Sequence, residues 1–143
     1  IMGRANGLDL SGTGMEIQQF GFVQNERFKA QVFSAADVFA FPTRADNLPL
    51  ILQESMACGT PMVSFNVGGV PDLVRPEVTG MLAPPEDART FGILIERILA
   101  TADLRQRMSH ECREIANREY SLTLQAQRYR NIFQGLLDVS KNV

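Results

Sequence analysis

Apolar residues along this 143-residue chain fall into short runs and helical stripes, separated by loops rich in Gly, Pro, Asn and Asp. Residues 16–23 (EIQQFGFV) place Ile17, Phe20 and Phe22 among polar neighbours and read as a short strand ending near Gly21. Asn25 is a candidate cap for a helix whose apolar face is Phe28, Val32, Phe33 and Ala36. Val38, Phe39, Ala40 and Phe41, closed by Pro42, form a continuous apolar run, as in a strand covered on both faces. A polar loop over residues 43–47 leads into a helix expected over residues 49–58. Pro49 suits its first turn, where a missing N–H has no intrahelical acceptor anyway. Asp46 or Asn47 can cap it, and Gly59 ends it by adopting the left-handed conformation without steric cost.

Met62, Val63, Ser64 and Phe65 read as another buried strand, and residues 67–70 as a tight strand-to-helix turn. A short helix over 71–74 and a short strand over 79–83 follow. Three helices close the chain. Phe91, Leu94, Ile95, Ile98 and Leu99 form the stripe of the first, from about Glu86. Leu104, Met108, Cys112 and Ile115 mark the second. Ser121 caps the third, with an expected inner face of Leu122, Ala126, Tyr129, Phe133 and Leu137. The tail beyond Asp138 is expected to fray.

Strands alternating with helices imply βαβ units, hence an α/β fold: a Rossmann-like parallel sheet with helices on both faces and a helical C-terminus. Open sheets of this kind bind ligands at the carboxyl ends of their strands, near the point where strand order reverses. Loops 43–47 and 66–69 both follow a strand and precede a helix, so they should open on the same edge.

Composition narrows the class. The chain is 45% hydrophobic and 21% charged, with a net charge of -2, an ordinary balance for one globular domain that offers no attraction for nucleic acid. No apolar run approaches the roughly 20 residues needed to span a bilayer. Cys58 and Cys112 lack the number for a disulfide framework and the spacing for a metal site. They read as buried, reduced thiols of a cytoplasmic protein. Residues 4–14 (RANGLDLSGTG) read as a loop without the lysine signature of a phosphate loop. Ile1, Met2 and Gly3 read as the end of a strand running into a glycine turn, so we expect a piece of a longer chain.

Candidate chemistry gathers in residues 41–69 (FPTRADNLPLILQESMACGTPMVSFNVGG). The helix start at Pro49 presents unpaired N–H groups and the positive end of its dipole, which suit an anion. Gly68 and Gly69 offer further backbone donors with no side chain to block approach, so the two together suit a diphosphate. Glu54, inside the helix, would repel phosphate and is better suited to accepting hydrogen bonds from a diol such as a ribose. Asp46, before the helix, can do the same for a hydroxylated group beyond the phosphates. The plainer alternative is that Asp46 only caps a helix and Glu54 is only a paired, partly buried carboxylate.

These residues resemble the retaining glycosyltransferases called group 1 or family 4, which have the two-domain GT-B fold. The resemblance runs from Gly21, Phe22 and Val23 through the segment SAADVF (34–39) and Phe41-Pro42-Thr43 to Asp46-Asn47-Leu48-Pro49. It continues through ESMACGTP (54–61), GGVPDLV (68–74) and TGML (79–82). The block Glu-x-Met-Ala-Cys-Gly-x-Pro followed by Gly-Gly-x-Pro is specific. The resemblance implies that residues 1–143 form a single nucleotide-sugar-binding domain, the C-terminal half of a GT-B enzyme truncated at its N-terminus.

In that family two acidic residues eight apart face the transferred sugar and the ribose, and these places fall on Asp46 and Glu54. The first is normally Glu, so Asp46 is a departure that shortens the reach by one methylene. Asp-Asn-Leu-Pro, in place of a more usual Gly-containing stretch, is similar to polysaccharide-type members. The resemblance implies that the base lies against the backbone near Val23 and Gln24 and the phosphates against the amides of Leu48, Pro49's neighbour Leu50, and Ile51, beside Asn47, Gly68 and Gly69. The family's basic Arg/Lys pair would precede Ile1; Arg4 and Arg44 are the nearest substitutes and read better as solvated arginines.

The implied activity is hexosyl transfer from a nucleoside-diphosphate sugar, a substrate rather than a cofactor, to a glycan or lipid-linked acceptor held by the absent N-terminal domain. The fragment alone should be inactive, and the full enzyme has room for peripheral membrane association. No metal is implied, because nothing resembles an Asp-x-Asp at a strand end. Alternatives are a non-catalytic nucleotide-binding module and a GT-B nucleotide-sugar epimerase or phosphorylase. A phosphorylase would need a pyridoxal-bearing lysine, and Lys29 and Lys141 are badly placed for it. His110, the only histidine, is expected on the surface.

Overall fold

The computed structural model describes residues 1–3 and 12–140, so most of the loop expected over residues 4–14, with Arg4, and the end of the tail, with Lys141, lie outside the described residues. Its regular elements, in order, are α1 (Glu26–Ala35), β1 (Phe39–Phe41), α2 (Leu50–Ala57), β2 (Met62–Phe65), α3 (Val70–Leu73), β3 (Gly80–Ala83), α4 (Ala88–Ala100), α5 (Ala102–Tyr120) and α6 (Leu122–Ser140).

The three strands pair in parallel in the order β1-β2-β3, with Phe39 opposite Met62 and Met62 opposite Gly80. The order is sequential, so the expected reversal of strand order is not found among the described strands.

Strand alternation splits the core in two. Met62 turns to one side of the sheet, onto Leu52 and Met56 of α2, Leu73 of α3, and Cys112 and Ile115 of α5. Val63 and Phe65 turn to the other, onto Phe91 and Ile98 of α4 and Leu104 and Met108 of α5. Helices therefore cover both faces, and α5 serves both cores, the first half of its stripe in one and the second half in the other. Each fully buried side chain of this size contributes about 1.5–3 kcal/mol.

Local signals placed the helix starts. Asn25 Oδ1 accepts from the Phe28 N–H at 2.9 Å, Asp87 Oδ1 from the Thr90 N–H at 3.0 Å, and Ser121 Oγ from the Leu124 N–H at 3.4 Å. Gly59 closes α2 with φ +77°. The helix α2 departs from expectation at its start: Pro49 is its N-cap and no side chain caps it, so neither Asp46 nor Asn47 does so.

Four other expectations fail. Residues 16–23 form no strand; Met2 and Gly21 make a single parallel bridge, with Gly3 N–H donating to Gly21 O at 2.7 Å. Gly21 takes φ +62°, which breaks the extended run, and Phe22 is left exposed. The strand β1 is not covered on both sides of its run, since Ala40 is exposed at the sheet's edge. Cys58 is only partly buried, whereas Cys112 is fully so; both are free. Finally, the intended inner face of α6 is open: Leu122, Tyr129, Phe133 and Leu137 are all more than half exposed. A stripe at helical spacing specifies a face, not the surface that covers it.

Candidate functional site

Because the strands are parallel, the loops after β1, β2 and β3 emerge on one edge. They touch there: the Gly69 N–H donates to Asp46 O at 3.1 Å, and the Asn66 N–H to Ala83 O at 2.8 Å. Arg44 meets Glu86 at 3.2 Å across the same edge while remaining 82% exposed, a solvated arginine as expected. The shared edge is therefore as the element order implied.

The glycine pair does something other than expected. A Cβ on Gly68 would fall 2.0 Å from Asp46 O, and one on Gly69 1.6 Å from Asn47 O. The space over both glycines is filled by the backbone of the acidic loop, and one of the two amides already has its acceptor there. Gly68 also takes φ +51°, which disfavours a side chain in any case. The pair thus forms the bed on which residues 46 and 47 lie, rather than an open cradle for an anion. Asp46 itself is partly exposed on this seated loop.

The helix α2 rises from that loop. Pro49 is buried, while Leu48 and Leu50 are exposed. The N–H groups of Leu50 and Ile51 lie in the first turn, where helix geometry supplies no acceptor. One turn further on stands Glu54, with its Oε1 accepting from Lys29 Nζ of α1 at 2.9 Å. Its other oxygen, Oε2, is closed off from water and has no hydrogen-bond partner, the one such buried side-chain atom among the described residues.

That orphan stands out against its surroundings. The buried hydroxyls of Ser55, Thr60, Ser64 and Thr79 each donate to a backbone carbonyl, at 3.1, 2.7, 2.7 and 2.6 Å. An unsatisfied buried acceptor costs about 1–3 kcal/mol. The Glu54 side chain is 36% exposed overall, so Oε2 is the buried end of a carboxylate that reaches the surface, and it is the site's candidate acceptor for a ligand.

Two adjoining clefts share Glu26 and Lys29 as a common wall, and Glu54 lines the smaller of them. One, of about 430 Å³, is lined by Met2, Gly3, Phe22, Val23, Gln24 and Ile51, with Glu26 and Lys29. The other, of about 190 Å³, is lined by Glu54, Ala57, Cys58, Ala30 and Phe33, again with Glu26 and Lys29. The structure thus gathers Val23, Gln24, Ile51 and Glu54 around α1, while Asp46, Asn47, Gly68 and Gly69 form a second group at the foot of α2 and line neither cleft.

Lys29 is the site residue that sequence reasoning missed. A signal was present: Lys29 and Phe33 stand four apart on α1, so a charged residue shares the face that buries Phe33. His110 is exposed on α5. Burial pushes the Cys112 thiol up to about 12, so it stays protonated and inert. Among the described residues no three His, Cys, Asp or Glu gather as a metal site would need, and no helix is long and apolar enough to cross a membrane.

Comparison with known proteins agrees with this architecture. The family model described as "Glycosyl transferases group 1" matches residues 11–115. The D-inositol 3-phosphate glycosyltransferase of Saccharomonospora viridis is 38% identical over 87 residues, covering 61% of this chain and 20% of that protein. The alpha-D-kanosaminyltransferase of Streptomyces kanamyceticus is 27% identical over 116 residues, covering 81% and 30% respectively. Among solved structures, sucrose-phosphate synthase from Thermosynechococcus elongatus superposes with a TM-score of 0.81 at 30% identity, over 88% of this chain and 31% of that one. Anabaena HepE, in complex with UDP-glucose, gives 0.77 at 20% identity, over 87% and 34%, a likeness of fold. The chain spans between a fifth and a third of the length of these relatives.

Proposed function

The chain belongs to the glycosyl transferases group 1 family, and from that premise we propose that it carries the donor-binding site of a retaining glycosyltransferase of the GT-B type. The whole protein moves a hexosyl group from a nucleoside-diphosphate sugar to a glycan or lipid-linked acceptor, as in polysaccharide synthesis. On this reading the base rests near Val23 and Gln24, the ribose diol on Glu54, and the diphosphate at the first turn of α2 near Leu48, Leu50 and Ile51. Asp46 faces the sugar, with its loop seated on Gly68 and Gly69.

The observation that carries this reading is the orphaned Oε2 of Glu54 beside a cleft lined by Val23, Gln24 and Ile51. A diol supplies the donors that oxygen lacks. The chemistry asked of the site is electrostatic. The bond between the anomeric carbon and the phosphate oxygen breaks, and the unpaired N–H groups of α2 take up the charge left on the diphosphate. The acceptor hydroxyl attacks the anomeric carbon from the face the phosphate leaves and passes its proton to the departing phosphate oxygen. Free thiols at Cys58 and Cys112 favour a reducing, cytoplasmic setting.

The test is calorimetric titration with UDP, GDP and ADP. Saturable one-to-one binding of one of them is the expected result. No binding by any of the three, with the full-length enzyme also silent, overturns the reading.

A further inference from the structure

Only 15% of the Lys29 side chain is exposed, and its ammonium lies 2.9 Å from Glu54 Oε1 and 3.0 Å from Glu26 Oε2. The two partners are unequal. Glu26 is 79% exposed and belongs to the same helix, a geometry worth little in water. Glu54 belongs to a different helix and is the larger cause of the Lys29 pKa standing above its ordinary 10.5. An ammonium has three donors and a carboxylate oxygen two lone pairs, so a single contact leaves both groups with capacity to spare.

We propose that Lys29 is a positioning residue, pinning Glu54 through Oε1 so that the partnerless Oε2 is kept for the ribose diol of the bound nucleotide. The Lys29–Glu54 pair is then what separates a ribonucleotide from its deoxy counterpart. This rests on the donor-binding reading above.

Three features of the site point the same way. Lys29 lines both clefts and Glu54 the smaller one, so Lys29 links the cleft of Val23, Gln24 and Ile51 to the carboxylate. The positive charge of Lys29 offsets that of Glu54, so a diphosphate approaching α2 is not met by a bare carboxylate. Oε2 has no surface open to water, so a diol reaches it by a turn of the carboxylate about its Cγ–Cδ bond, with the Lys29 ammonium following Oε1. Without Lys29 the carboxylate has no such tether, and solvent competes for both oxygens.

The experiment titrates the protein with UDP, GDP and ADP, each beside its 2′,3′-dideoxy analogue. A site built to hydrogen-bond a hydroxyl rejects the analogue lacking it, and the protein should prefer the ribose form by about tenfold or more. Lys29→Met should reduce that preference to near unity, and Lys29→Arg should retain most of it. Where Lys29→Met does not fold, as judged by circular dichroism, Lys29→Gln replaces it and should weaken the preference severalfold. A folded Lys29 variant that keeps the full preference overturns the role of Lys29 and leaves the donor-binding reading standing. So does an equal loss of affinity for both forms, the signature of a merely structural or general electrostatic contact. If the unaltered protein binds no nucleotide, both inferences fall together.

Discussion

Two of the ion pairs that tie distant parts of this chain together are finished differently. Arg75, just after α3, meets Glu119 near the end of α5 with Nη1 and Nη2 at 3.2 and 2.5 Å from its two oxygens. Arg118 adds a third contact at 3.0 Å. Every oxygen of Glu119 is engaged, and the Arg75 hydrogen bonds, foremost, hold its carboxyl down at about 2. Lys29 and Glu54 are joined at one point, and the remaining carboxylate oxygen is buried without a partner. A pair that serves only the fold has no reason to stop half-made, since the missing hydrogen bond costs about as much as the pair contributes. The open pair is the one beside the clefts; the closed pair lines neither of them.

The sharpest way to break this comparison is to remove each carboxylate in turn. Glu54→Ala should lower nucleotide affinity roughly 10- to 100-fold, the range for a hydrogen bond to a charged group, with little change in the urea midpoint. Glu119→Ala should do the reverse. Equal effects of the two on calorimetric affinity would erase the distinction. Next in size is Gly69→Ala, where the intruding Cβ meets backbone that cannot swing aside. It should cost about 1–3 kcal/mol of stability in denaturant melts, the usual range for overpacking, and should disturb the loop of Asp46 more than the Lys29–Glu54 pair. A Gly69→Ala protein as stable as its parent would show that the loop is not seated as described. The smallest effect is one of pH. The folded-state carboxyl of Glu119 lies near 2 against an ordinary 4.5, so its contribution is complete above about 4.5 and fades as pH falls toward about 2. Thermal melts over that window should show the decline, and Glu119→Gln should flatten it.

Much of the fold was legible because it is written locally. The stripe Leu104, Met108, Cys112 and Ile115 is buried throughout, and the caps Asn25 and Ser121 sit where side-chain acceptors meet the first free amides of a helix. The expected strand over 16–23 fails because alternation records a preference, while a strand needs a run of neighbouring backbone, and among the described residues the pairing with residues 1–3 amounts to one bridge. The α6 stripe was equally legible, but the described residues leave its apolar face exposed.

The site divides the same way. From sequence alone came the two acidic positions, the helix start between them, the glycine pair and the shared edge of the loops, because spacing and strand-helix alternation are properties of the chain's order. Two facts belong to the tertiary structure. Residues 68 and 69 are glycine because the backbone of residues 46 and 47 lies on them, and Glu54 is held by Lys29, 25 positions earlier. Neither has a local signature. Each arises where two elements cross, and the packing of α1 on α2, with that of one loop on another, decides which atoms meet.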